Sequence, residues 1–186
     1  MATIAELLAS SLNALKQVQR GEDFTIIKSS DLSRTHIKRL VDNHFLKPII
    51  KGWYVVTDPR ATPGDSTAWY ASFWSFITRY ANERYGNEWC LSAEQSLSIY
   101  TGATIIPNQV LIRAPKGNDY MVPLIPPTSV FNLGAELPSK IDTNNPYNLN
   151  LYTLAEAIIV ATPTMYRNDA LTMRTALAMV HDSSDI

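Results

Sequence analysis

Residues that could carry catalytic or metal chemistry are few in this chain. Its histidines are His36, His44 and His181, and its single cysteine is Cys90. On a helix, His36 and His44 would lie about 80° apart, unlike the i and i+4 pair of a helical metal site. The phosphate-loop, dinucleotide, serine-hydrolase and zinc-protease motifs are absent. We therefore predict no catalytic residue, no metal site and no cofactor, and we expect that the chain is not an enzyme.

Basic and hydroxyl side chains cluster in the first third of the chain. A helix that reads the major groove of DNA needs short polar and basic side chains on its outer face. Arginine can bind guanine with two hydrogen bonds, and lysines on a following hairpin can contact phosphates. The candidate DNA-binding residues are Lys28, Ser30, Ser33, Arg34, Thr35, His36, Lys38, Arg39, Lys47 and Lys51. The alternative is a solvated helix face followed by an ordinary hairpin.

The charge distribution favours nucleic-acid contact. The whole chain has a net charge of -1, yet residues 1–56 hold eight Lys and Arg against five Asp and Glu, a net charge of +3. Residues 57–186 hold the other eight basic residues and twelve acidic ones, a net charge of −4. A basic segment joined to an acidic remainder is typical of proteins that bind nucleic acid through the basic part.

Two helices and a short strand must position these basic residues. The capping box Thr3-x-x-Glu6 opens a first helix, whose apolar stripe ends before Gly21. Phe24–Ile27 is a short β-prone run. The side-chain oxygens of Ser29-Ser30-Asp31 can cap a second helix, which we extend to about Asn43.

The helical period predicts which face of the second helix is exposed. Its buried face consists of Ile37, Leu40 and Val41. The opposite face carries Thr35, Lys38, Arg39 and Asp42, with Arg34 on the flank. Because Asp42 is acidic, we expect DNA to contact mainly the first two turns of this helix.

A change of period after the second helix predicts a hairpin. Phe45–Ile50 and Trp53–Val56 are strand-like runs joined at Lys51-Gly52, and glycine suits such a turn. Two helices followed by a basic hairpin predict a winged helix-turn-helix over residues 1–57. Asp58–Asp65 is interpreted as a linker.

Residues 64–186 are predicted to form a mixed α/β domain, so the expected fold class is α+β. Its first helix, Ser66–Arg84, is rich in aromatic residues, which favours a hydrophobic core or a homodimer interface over a stacking platform for bases. Capping boxes at Ser92-x-x-Gln95 and Thr153-x-x-Glu156 predict two more helices. The remaining predicted elements are strands at 110–112, 120–125 and 129–133 and a last helix at Asn168–His181.

Composition excludes several classes of protein. The chain has 186 residues, 46% of them apolar and 18% charged, which argues against disorder. No run of about 18 apolar residues predicts a membrane span, and a signal-peptide pattern is absent. One cysteine excludes an internal disulfide and fits a reducing compartment. We expect a cytoplasmic protein without a membrane partner.

Six short segments carry a resemblance to a known family of proteins. They are Asp31–Arg34, Lys51–Tyr54, Asp65–Tyr70, Leu91–Leu97, Val110–Gly117 and Arg174–Met179. Together they resemble the N-terminal region of a group of bacterial Fic-family proteins. The winged helix with a mixed α/β unit is more loosely similar to the AbiEi-type antitoxins of type IV toxin–antitoxin systems. That similarity implies a DNA-binding autorepressor.

One motif of the Fic enzymes is missing. These enzymes transfer AMP with a sequence of the form H-x-F-x-[DE]-G-N-G-R, whereas His181 is followed by Asp-Ser-Ser-Asp. The resemblance therefore implies an N-terminal fragment of a longer Fic protein, or a short relative that keeps the regulatory half.

The expected function is that of a DNA-binding regulatory module. Its expected partners are double-stranded DNA and either a Fic domain in cis or a toxin in trans, and it could form a homodimer. The alternative is a protein-interaction module that restrains a Fic or other toxin enzyme without contacting DNA.

Overall fold

The computed structural model describes residues 3–19, 25–62 and 64–180. Within these ranges the chain forms seven helices and nine strands, a mixed α/β architecture compatible with the α+β prediction. It comprises two compact units, Met1–Phe76 and Ile77–Ile186. The positions Gly21, Phe24 and His181, used in the sequence-based predictions, lie outside the described ranges.

The first unit contains two helices, three strands and the first half of a third helix. These elements are α1 (Ile4–Gln19), β1 (Ile26–Lys28), α2 (Arg34–Asp42), β2 (Leu46–Ile50), β3 (Trp53–Val56) and the start of α3 (Thr67–Tyr85). The strands form an antiparallel sheet in the order β1-β3-β2. The predicted hairpin is thus present, and Gly52 in its turn has a φ of +83°, which favours glycine.

The predicted capping box of α1 is confirmed. The backbone N–H of Glu6 donates to Thr3 Oγ1 at 3.2 Å, and the N–H of Thr3 donates to Glu6 Oε2 at 2.7 Å. These bonds satisfy two of the N–H groups that a helix start leaves without an intrahelical partner.

The second helix begins later than the sequence suggests. Its N-cap is Ser33, whose Oγ accepts from the N–H of His36 at 3.3 Å. Asp31 instead accepts from the N–H of Lys28 at 2.9 Å and so closes the turn between β1 and α2. The prediction of a cap at Ser29-Ser30-Asp31 was therefore wrong, because local turn bonds take the Asp31 carboxylate.

The core of the first unit lies between α1, α2 and the sheet. Leu15 from α1, Ile37 and Leu40 from α2, and Ile27 and Leu46 from the strands are all buried. The predicted buried face of α2 is confirmed, with Val41 only partly buried at its edge. Burial of this stripe leaves the opposite face of α2 to solvent.

The aromatic residues at the start of α3 form a second part of this core. Trp69, Phe73 and Phe76 are buried. The Trp69 ring centroid lies 5.3 Å from that of Phe73 and 5.5 Å from that of Phe76, both in edge-to-face geometry. Trp53 from β3 packs edge-on against Phe76 at 5.5 Å. These rings are enclosed by the protein, so they do not form a stacking platform for bases.

The second unit surrounds a four-stranded sheet with short helices. After the end of α3 follow β4 (Cys90–Leu91), α4 (Ala93–Tyr100), β5 (Gln109–Ala114), β6 (Tyr120–Pro123), β7 (Ser129–Gly134), β8 (Ile141–Asp142), β9 (Leu151–Tyr152), α5 (Leu154–Val160), α6 (Pro163–Asn168) and α7 (Ala170–Ala178). The sheet order is β4-β5-β7-β6, with β5 and β7 parallel and the other neighbours antiparallel. β8 and β9 form a separate antiparallel pair.

Serine and threonine caps define the helices of this unit. Ser92 caps α4 and Thr153 caps α5, as predicted. The predicted last helix is present as α7, which begins after its N-cap Asp169, whereas α6, started by Thr162 with Pro163, was not predicted. The two-residue strands β4, β8 and β9 were not predicted, since they are too short for a periodic pattern.

The core of the second unit includes the single cysteine. Cys90 is buried with Leu97, Ala157 and Met173. Burial raises the pKa of its thiol to about 12, so the sulfur stays protonated at neutral pH and packs as an apolar atom. None of the helices in the described ranges has the length and apolar character needed to cross a bilayer.

Candidate nucleic-acid interface

The outer face of α2 presents polar and basic side chains to solvent. Arg34, Thr35 and Lys38 are exposed, and Arg39 is half-buried beside them. They lie opposite the buried residues Ile37 and Leu40. The α2 helix therefore has one face that holds it on the unit and another that can contact a partner.

The hairpin turn brings a second basic residue to the same region. Arg34 of α2 and Lys51 of the β2–β3 turn line one groove of about 340 Å³. The backbone N–H of Ser29 donates to the Gly52 carbonyl at 2.8 Å, which fixes the turn after β1 against the hairpin turn. We call this feature the Arg34–Lys51 groove. The rest of its lining is Ser29, Ile37, Gly52 and Tyr54.

The cations of this face remain available to a partner. Arg34, Lys38 and Lys51 form no ion pair with any residue in the described part of the chain. Exposed arginine and lysine without an acidic neighbour can neutralise phosphates and release their counterions. Asp42, also exposed, lies at the C-terminal end of α2. Because its negative charge repels phosphates, the N-terminal end of the helix is the part suited to neutralise them.

Two predicted residues form contacts that hold the face in place. Ser33 caps α2, as described above. The hydroxyl of Ser11 in α1 donates to the Leu7 carbonyl at 3.1 Å. The Nδ1 of His36 lies 2.9 Å from that hydroxyl oxygen, within hydrogen-bond distance. The half-buried ring of His36 thus joins α2 to α1.

Lys28 and Ser30 lie at the turn that precedes α2. The Lys28 ammonium is 5.4 Å from the centroid of the Trp53 ring on the neighbouring strand, within cation–π range. The exposed Ser30 hydroxyl donates to Asp31 Oδ1 at 3.2 Å. Both residues therefore have partners within their own turn and sheet.

Lys47 lies near an acidic side chain of its own, Asp65. It lines a separate depression with His44 and Asp65, apart from the Arg34–Lys51 groove. Hydrogen bonds from Thr67, and to a smaller extent the charge of Lys47, lower the pKa of Asp65. Since this carboxylate stays ionised, it competes with a phosphate for Lys47.

Sequence reasoning identified the two charges of the groove but not the groove itself. Ser29 and Tyr54 complete its lining and were not predicted as site residues. Their only sequence signal is that a hydroxyl and an aromatic side chain lie close in sequence to the candidate basic residues. The turn before α2 is held next to the hairpin turn by the long-range hydrogen bond between Ser29 and Gly52, which the sequence does not reveal.

The described ranges contain no cluster of side chains suited to hold a metal ion. No three His, Cys, Asp or Glu side chains come together there as metal ligands would. No model of a known protein family matches this chain, and no curated protein is significantly similar to it.

Proposed function

We propose that the chain is a DNA-binding regulatory protein whose first unit is a winged helix-turn-helix. The observation that carries the proposal is the Arg34–Lys51 groove, where a helix start and a hairpin turn present two exposed cations together. The element order α1-β1-α2-β2-β3 and the basic charge of residues 1–56 support it. In this proposal α2 is the recognition helix and the β2–β3 hairpin is the wing.

The dimensions and polarity of α2 suit this role. Its nine residues span about 13 Å, similar to the width of the major groove of B-DNA. Arg34 and Thr35 stand at its N-terminus, where the backbone N–H groups also favour anions. Lys51 on the wing would contact the phosphate backbone beside the groove. Arg34 would be the residue best able to read a guanine.

The regulatory part of the proposal rests on the resemblance to Fic-associated regions and AbiEi-type antitoxins. We propose that the chain represses transcription at its own promoter. Its protein partner would be a Fic domain in cis or a toxin enzyme in trans. Restraint of such an enzyme without DNA contact is the competing function, and the following experiment separates the two.

The test is a fluorescence titration of labelled duplex DNA with the full chain at several salt concentrations. If three phosphates are neutralised, a plot of the logarithm of the DNA association constant against the logarithm of the salt concentration should have a slope of about −2.7. A neutral polymer of similar size, at the same concentrations, controls for nonspecific crowding. Absence of binding at the lowest salt concentration would contradict DNA binding and leave the interaction module as the function.

A further inference from the structure

A second cavity, of about 380 Å³, lies within the second unit. It is lined from β5, β7, β9, the start of α4 and the α5–α6 connection. Its size falls in the range of sites for small organic molecules. The cavity is far too small for a duplex, so it is unrelated to the proposed DNA contact.

Arg113 supplies the cation of this cavity. It lies on β5, between β4 and β7 in the sheet. Its Nη2 donates to the Glu136 carbonyl at 3.3 Å, but its Nε is buried and has no hydrogen-bond partner in the described chain. Because the Nε is enclosed by protein atoms, the donors of Arg113 that a ligand can use are the Nη N–H groups that the single bond to Glu136 leaves over. A carboxylate suits them, because its two oxygens match the fork of donors on arginine.

Glu94 supplies an opposite charge in the same cavity. It stands in the first turn of α4 and lines the cavity with Arg113 and Tyr152. Burial is the main cause of the raised pKa of the Tyr152 hydroxyl, and the charges of Arg113 and Glu94 both act on this group. Both charged residues thus belong to the wall of one cavity. An acid at this place repels a polyanion such as a nucleotide and attracts an ammonium group.

The remaining wall of the cavity is largely apolar. Leu111, Leu133 and Val160 belong to its apolar lining. Apolar walls with a few convergent polar groups are typical of sites that bind a small molecule in one orientation. The wall therefore favours a ligand that has an aliphatic part, which packs on these side chains, in addition to its charged groups.

We propose that this cavity binds a small zwitterion with an aliphatic side chain, of the α-amino acid class. The ligand carboxylate accepts from the Nη donors of Arg113 that the bond to Glu136 leaves over. The ligand ammonium group faces Glu94, and the side chain packs on Leu111, Leu133 and Val160. This site is independent of the proposed DNA-binding function.

The test is calorimetric titration of the full chain with three probes of nearly equal shape. Leucine carries both charges, 4-methylpentanoate only the carboxylate, and 3-methylbutylamine only the ammonium group. Leucine should bind most tightly, 4-methylpentanoate more weakly, and the amine most weakly, because the planar fork of Arg113 can donate two hydrogen bonds to a carboxylate. Replacing Arg113 by methionine should weaken leucine binding by about tenfold or more. Glu94→Gln should weaken binding of leucine but not of 4-methylpentanoate.

Two further arginine variants serve as controls for this test. Arg174→Met removes an exposed arginine of α7 that does not line the cavity, and it should leave leucine binding unchanged. Arg113→Lys keeps the charge and a similar volume, and should also weaken leucine binding if Arg113→Met fails to fold. Equal leucine affinity in wild type and both Arg113 variants would overturn the proposal. Absence of binding of all three probes at about 10 mM, where a millimolar site would be near saturation, would also overturn it.

Discussion

Replacing Trp69 by alanine should lower the free energy of unfolding by about 3–5 kcal/mol, the cost of emptying a buried large aromatic site. The Trp69 side chain is only 1% exposed and packs edge-to-face on both Phe73 and Phe76. Its removal leaves a cavity whose rigid aromatic walls cannot collapse into the space. Urea unfolding followed by circular dichroism measures this loss.

Tyr70 provides the matched control on the same turn of α3. Its side chain is 37% exposed, so Tyr70→Ala should change the free energy of unfolding by less than about 1 kcal/mol. Equal losses for Trp69→Ala and Tyr70→Ala would contradict the assignment of the aromatic helix to the core.

The second large effect is expected for the double variant Arg34→Ala, Lys51→Ala. Loss of Arg34 should weaken binding to an operator by about 1–3 kcal/mol if its guanidinium binds a base. Loss of Lys51 should act alike on every sequence and lower the salt slope by about one. Both side chains are exposed, so the free energy of unfolding should change by no more than about 0.5 kcal/mol. Titrations with operator and random duplex, at several salt concentrations, measure these effects.

A second double variant separates local from overall charge. Lys116→Ala with Lys140→Ala removes the same charge from exposed positions of the second unit. It should leave the DNA affinity nearly unchanged, because neither lysine belongs to the Arg34–Lys51 groove. Equal losses of DNA affinity in the two double variants would mean that only net charge matters, and would contradict a specific role of the Arg34–Lys51 groove in DNA binding.

Local sequence signals predicted most elements of the fold. The N-caps Thr3, Ser92 and Thr153 each accept from the N–H of the residue three positions later, so they are visible without tertiary information. The same signals failed where a second local bond competed. Asp31 closes a turn instead of capping α2.

The candidate sites were predictable only in part. The 100° helical period is enough to place Thr35 and Lys38 opposite Ile37 and Leu40. It says nothing about which hairpin residue comes near Arg34, because that depends on how the sheet packs beside α2. The unsatisfied Nε of Arg113 left no sequence signal at all, since it depends on the partners around a buried strand. The winged helix-turn-helix and its DNA contact remain predictions.

The most direct measurement of the central claim is site-specific photocrosslinking to DNA. A photoreactive phenylalanine analogue replaces either Thr35, on the exposed face of α2, or Ile105, which is 85% exposed in the second unit. Each full-length variant is mixed with labelled duplex at low salt and irradiated. We predict covalent DNA adducts from position 35 and almost none from position 105. Binding to DNA with no adduct at position 35, or with equal adducts at both positions, would contradict the proposal that α2 contacts DNA.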